Sequence, residues 1–162
     1  MIYEKKELEF LATKHAKENN LDPDLVFSII TVESGWDTFV SRFEPSVDKY
    51  VFNTLTHSSN CRITQMTEDL AQKHSYGLGQ IMGFLAREMG HKECLSQLFI
   101  PEINLSYMCR FIKKQLERYG FETDAVAAYN AGSAHKLDSG MYRNQQYVDK
   151  VYKFLNAYRR LK

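Results

Sequence analysis

At 162 residues the chain has the size of a single domain and is long enough to bury a sizeable core. Charged residues make up 25% and nearly cancel to a net +1, which excludes the overall basic field of a nucleic-acid binder. No apolar run approaches the roughly 18 residues of a membrane span, and the start MIYEKKELEF is charged where a secretion signal needs an apolar core, so a soluble chain without a signal peptide is expected.

Residues 4 to about 19 carry Leu8, Leu11, Ala12 and His15 on one helical face, and Asn19-Asn20 closes that helix. Asp22 followed by Pro23 is a capping residue with a first-turn proline, so a second helix starts there. Its stretch LVFSIITVESGW, Leu25 to Trp36, places Leu25, Val26, Ile29 and Ile30 on one apolar stripe. Glu33 stands three residues after Ile30 and four after Ile29, and so continues the stripe. A carboxylate on a buried face is costly, and the C-terminal end of a helix dipole disfavours it further. Both effects push the pKa of Glu33 upward, as a general acid near neutral pH requires. The same spacing also fits a slightly rotated helix with Glu33 at the surface.

Residues 37 to 66 lack a sustained period and contain Pro45 and a turn-like His57-Ser58-Ser59-Asn60. They read as a long irregular excursion with a short strand pair near Lys49 to Asn53 and Arg62 to Thr64. Thr67 reads as the cap of a short helix through about Lys73. SYGLGQIMGFLAREMG, residues 75 to 90, reads as a glycine-rich turn feeding a helix that Gly90 stops. A helix over about Pro101 to Tyr119 buries Leu105, Met108, Cys109, Ile112, Leu116 and Tyr119, and ends at Gly120. Thr123 caps a short helix, DAVAAYNA, closed by Gly132; residues 133 to 143 form a loop. The last helix, about 144 to 160, buries Val148, Val151, Leu155 and Tyr158. The expectation is a mainly α fold of six to eight helices, one domain over residues 1 to 162, with little sheet.

The ten Tyr, ten Phe and single Trp read chiefly as core, though tyrosines can also stack on sugar faces. Cys61, Cys94 and Cys109 form neither a disulfide framework nor a CxxC metal site; one disulfide plus a free thiol fits the count. Cys109 is expected to pack in its helix. The five histidines show no paired ligand spacing, so no metal is expected.

Three segments carry chemistry: Glu33-Ser34, SYGLGQIM at residues 75 to 82, and AAYNAG at residues 127 to 132. In this order, with Tyr147-Val148 on the final helix, they resemble the SLT-type lytic transglycosylases over about residues 20 to 155. That resemblance implies a lysozyme-like α-domain and a single catalytic acid, Glu33. It implies cleavage of the β-1,4 bond between N-acetylmuramic acid and N-acetylglucosamine in peptidoglycan, leaving a 1,6-anhydromuramic end. It implies no cofactor.

By the same resemblance Ser75, Tyr76, Gly77, Gln80, Tyr129, Asn130 and Tyr147 are expected to bind substrate, with Tyr129 a candidate hydrogen-bond partner of Glu33. Read without it, Gly77 and Gly79 serve helix entry or close backbone approach, and Tyr129 and Tyr147 also fit as core aromatics. The chain departs from the family's pattern in two ways. About forty residues separate Glu33 from the glycine turn, an insertion over about 37 to 74 containing Arg42-Phe43-Glu44-Pro45 that resembles a phage and bacterial subgroup. Gly79 and Gly83 stand where a methionine and a proline are usual.

Ordinary glycosidases need two carboxylates flanking the bond, and Asp37, Glu44 and Asp48 are possible second acids. A goose-type muramidase hydrolysing the same bond is therefore the alternative reading. A third is a catalytically inactive glycan-binding or virion structural module. The resemblance further implies a monomer acting on glycan strands in the periplasm or cell wall, reached by export or with a phage particle or lysis system.

Overall fold

The computed structural model describes residues 3–51 and 61–161. The elements run α1 (Lys5–Glu18), α2 (Pro23–Glu33), β1 (Ser41–Phe43), a 3-10 turn (Pro45–Tyr50), α3 (Gln65–Gln72), β2 (His74–Tyr76), β3 (Ile81–Met82) and α4 (Gly83–Glu88). A second 3-10 turn (Leu95–Phe99), α5 (Pro101–Tyr119), α6 (Glu122–Ala131) and α7 (Gln145–Arg160) complete the chain. The fold is mainly helical with one small antiparallel sheet of order β1-β2-β3, as a lysozyme-like α-domain requires.

The helices start and stop where their punctuation dictates. The Asp22 carboxylate accepts from the Asp24 backbone N–H at 3.0 Å, with Pro23 occupying the first turn of α2. Helix α5 ends in Gly120 at φ 75°, a conformation that penalises any residue with a Cβ. Leu25, Val26, Ile29 and Ile30 of α2 are buried against α7, which contributes Val148, Val151 and Leu155. Leu105, Met108, Cys109 and Ile112 of α5 complete the same core, and Cys109 is the buried free thiol. Only the first two-thirds of α2 can enter that core. Its last three residues, Thr31, Val32 and Glu33, are half-buried, which places Glu33 at the boundary of the core.

The sheet differs from the sequence expectation. No strand pair occurs at residues 49–51 and 62–64; the first lies in and just past a 3-10 turn, the second in irregular chain. Asn53 and the turn-like residues 57 to 60 lie outside the described residues. The strands that form are three or two residues long, with Ser41 opposite Tyr76, Phe43 opposite His74 and Ser75 opposite Met82. Such short strands show no readable alternation. Two caps also move. Thr64, not Thr67, accepts at the start of α3, from the Thr67 N–H at 3.2 Å. Helix α6 begins at Glu122 with no side-chain cap, so Thr123 lies inside it.

Helix α3 runs into β2 and β3 runs into α4, so these two helices are the stems of the hairpin that carries the glycine turn. The stems are clasped by a buried ion pair. Arg87 Nε and Nη2 donate to Glu68 Oε1 and Oε2 at 2.7 and 2.9 Å, with the side chains 4% and 2% exposed. A Cys61–Cys94 disulfide ties the chain before α3 to the loop after α4. The stems meet so closely at Gly83 that a Cβ there would lie 2.5 Å from the Ala71 carbonyl oxygen and 2.7 Å from the Gln72 Cα. Both obstacles are backbone. Gly83→Ala is therefore expected to destabilise the fold by roughly 1–3 kcal/mol, the usual cost of overpacking, measurable as a lowered midpoint in urea unfolding.

Candidate active site

Glu33 is the last residue of α2, and Ser34 follows as its C-cap. The Ser34 hydroxyl donates to the Leu78 carbonyl at 2.9 Å, which joins the end of α2 to the glycine turn. Gly35 and Trp36 then take positive φ, 60° and 71°, and reverse the chain toward β1. The Glu33 side chain is only 7% exposed. The Tyr147 hydroxyl donates to its Oε1 at 2.7 Å, and Arg42 Nη2 stands 3.5 Å from its Oε2. Burial raises the Glu33 pKa above its ordinary value, and it outweighs the Tyr147 hydrogen bond and the Arg42 charge, which act the other way.

The turn is held from four sides. Gly77 N–H donates to Val40 O at 2.9 Å, and Gln80 N–H to Gly77 O at 3.1 Å. Asn104, fully buried on α5, accepts from Gly79 N–H at 2.8 Å and donates to Tyr76 O and Leu98 O at 2.7 and 2.8 Å. Tyr129 Oη donates to Gly79 O at 2.6 Å. A Cβ on Gly77 would collide with Asn104 and Leu98, so the glycine serves this close approach. A Cβ on Gly79 would sit 2.9 Å from the Met108 side chain. Met108 thus fills the space beside the turn, which leaves room only for glycine at this position.

Gln80 is the hub. Its Oε1 accepts from the Ser75 hydroxyl at 2.8 Å and from Arg42 Nε at 3.1 Å, while its Nε2 donates to Val40 O and Gly77 O, both at 2.9 Å. Both amide protons and both lone-pair positions are engaged, so Gln80 fixes Arg42 and the turn in place.

A cleft of about 600 Å³ runs past Glu33 between the 42–50 segment, the sheet and α4 on one side and α5 and α6 on the other. Ser75, Gln80, Tyr129 and Asn130 line it. Asn144 donates to the Asn130 side-chain oxygen at 3.0 Å and so orients that amide. Tyr76 is buried elsewhere, its hydroxyl donating to Ala71 O at 2.7 Å, and neither it nor Gly77 lines the cleft. Tyr129 does not donate to Glu33; its hydroxyl is committed to Gly79 O, and Tyr147 takes that part because α7 packs directly on α2. Of the three candidate second acids, Glu44 lines the cleft. Asp37 accepts from the Phe39 N–H at 2.8 Å, and Asp48 pairs with Lys73 at a separate depression lined by Gln65 and Asp69.

Arg42 and Asn104 are the residues that sequence reasoning missed. Asn104 had a signal: it lies four residues before Met108 on a buried stripe, the same anomaly that singles out Glu33. Arg42 had none, because its place depends on the β1–β2 register. No group of three or more His, Cys, Asp or Glu that could hold a metal occurs among the described residues.

The transglycosylase SLT domain matches residues 10–152, nearly the whole chain. The chain belongs to this family. No curated protein matches it. As an SLT domain it is a lytic transglycosylase in the family's general sense, with peptidoglycan as its substrate class and the cell wall as its place of action. No helix among the described residues is long and apolar enough to cross a membrane.

Proposed function

We propose that the protein cleaves the β-1,4 bond between N-acetylmuramic acid and N-acetylglucosamine, with Glu33 acting first as acid and then as base. The observation that carries this reading is the setting of Glu33. Its carboxyl group is buried at the cleft wall, with a tyrosine hydroxyl on one oxygen and a guanidinium beside the other. Protonated Glu33 donates to the leaving glycosidic oxygen as the C1–O bond breaks. The carboxylate then takes the proton from the muramoyl C6 hydroxyl while that oxygen bonds to C1. The product is a 1,6-anhydromuramic end, and no water is consumed. Tyr147 and Arg42 both favour the carboxylate, so they assist the second half of the reaction after burial has favoured the first.

The reaction is tested by mass spectrometry of digested sacculi, where anhydromuramic ends are the expected product. Glu44 on the cleft wall keeps a hydrolytic alternative in view, in which it would activate water. Reducing muramic ends that disappear in Glu44→Gln would establish that alternative instead. The reading takes the protein to act on glycan strands as a monomer. Access to the wall is by export, or with a phage particle or lysis system.

Arg42 offers a second check. Its guanidinium lowers the Glu33 pKa, so Arg42→Gln raises it, and the protonated acid persists to higher pH. The alkaline limb of the activity profile should move upward in this variant and return in Arg42→Lys. A limb that stays in place would separate Arg42 from Glu33.

A further inference from the structure

Gln115 is a polar residue with no visible purpose in the fold. It is 3% exposed, it lines the Glu33 cleft from α5, and its Oε1 is buried without a hydrogen-bond partner. Buried amides are nearly always satisfied, and an apolar side chain of this length would pack here at lower cost. Phe111 and Arg118 share its helix face at spacings of four and three residues, and these two and the adjacent Lys114 line the same cleft. The Lys114 ammonium is paired with Glu88 at 3.1 Å. The exposed Arg118 guanidinium lies over the Tyr119 ring and has no carboxylate partner among the described residues.

We infer that this face of α5 is a saccharide subsite for an acetamido sugar bearing a carboxylate, with Gln115 pairing to the acetamide and Arg118 to the carboxylate. An unheld glutamine amide offers both a donor and an acceptor, the complement of an acetamide N–H and C=O. Its terminal torsion is broad, so the amide turns toward the ligand without leaving its rotamer. Phe111 beside it supplies an apolar wall for the sugar ring. The unpaired guanidinium one turn further along presents the fork that suits a carboxylate. Among peptidoglycan sugars only the muramoyl residue carries one, either on its lactyl group or on the attached peptide. The subsite rests on the proposed function for its substrate class, but not on Glu33 for its binding.

The test is calorimetric titration of chitotetraose, of a peptide-free muramoyl tetrasaccharide and of its peptide-bearing form. The protein carries Glu33→Gln throughout, so that no turnover occurs and a failure of the catalytic reading leaves the binding result intact. Gln115→Met should weaken all three ligands by roughly three- to ten-fold, the weight of one or two hydrogen bonds, while raising the melting temperature because the orphaned amide is gone. Arg118→Gln should weaken the muramoyl ligands by about three-fold, an effect that salt erases, and leave chitotetraose unchanged. A loss confined to the peptide-bearing ligand assigns the carboxylate to the peptide; a loss on both assigns it to the muramoyl unit itself. Unchanged binding in a stabilised Gln115→Met protein overturns the subsite, and an equal loss on chitotetraose in Arg118→Gln overturns its carboxylate specificity.

Discussion

Glu33→Gln is expected to lower the release of soluble fragments from sacculi by roughly 10²- to 10⁴-fold, the usual weight of a general acid–base group. The amide keeps the shape of the side chain and can still accept from Tyr147, so circular dichroism should match wild type. Retained turnover would remove Glu33 from the mechanism and leave the glycan-binding reading in its place. The same variant should be more stable than wild type at neutral pH. The folded-state pKa of Glu33 lies above its ordinary value of 4.5, because burial penalises the anion. Below that ordinary value both folded and unfolded chains hold the proton, and stability is unaffected. As pH rises through the interval up to the raised folded value, the unfolded chain ionises first and stability falls. Above it the full cost is present. The gain in melting temperature from Glu33→Gln should therefore be seen at pH 7 and vanish near pH 4. A carboxyl group buried in this way is a local defect of the fold.

Arg87→Met is expected to be the most damaging single change away from the cleft. It strips Glu68 of the two hydrogen bonds from the guanidinium, at 2.7 and 2.9 Å, and leaves the carboxylate, still accepting from Gln72 Nε2 at 3.0 Å, in a site where 2% of the side chain is exposed. It also removes the donor that Arg87 Nη1 gives to His91 O and Glu93 O at 2.8 and 2.7 Å. Breaking a buried pair from one side typically costs about 3–5 kcal/mol, because a buried charge loses its counter-ion. For a domain of this size that corresponds to a melting temperature lower by roughly 10 °C. Adding Glu68→Gln should recover part of the loss, since a neutral amide costs less to bury than a carboxylate. A loss under about 1 kcal/mol in Arg87→Met would show that the clasp does not hold the hairpin stems.

The long helices were legible because local rules fix them. Asp22-Pro23 starts α2, Pro101 starts α5, and Gly120 and Gly132 end α5 and α6; the apolar stripe of α2 is buried throughout, while that of α5 is buried from Leu105 to Ile112 and half-buried at Leu116 and Tyr119. Glu33 was legible for the same reason: it continues an apolar stripe with a carboxyl group. The sheet was not, since strands of two and three residues are held by a turn and by Asn104 and not by alternation. The caps slipped because Thr64 and Thr67 are both plausible by sequence, and only the course of the chain decides between them. The exchange of roles between Tyr129 and Tyr147 has the same origin. Both hydroxyls lie near Glu33, and which of them reaches it depends on how α7 settles on α2, a distance of 114 residues along the chain.

The covalent tie between Cys61 and Cys94 gives the molecule a history as well as a shape. Such bonds are reduced in a thiol-rich cytosol and persist where the surroundings oxidise. Where the bond is reduced, the stems are held by the Glu68–Arg87 clasp, the close packing at Gly83 and the β2–β3 pairing. The tightening it adds, about 3–4 kcal/mol by the chain-entropy argument for a loop of 33 residues, is present only where the bond forms. The rigidity of the hairpin stems thereby follows the redox state of the surroundings, a property that neither the ion pair nor the packing between them shares.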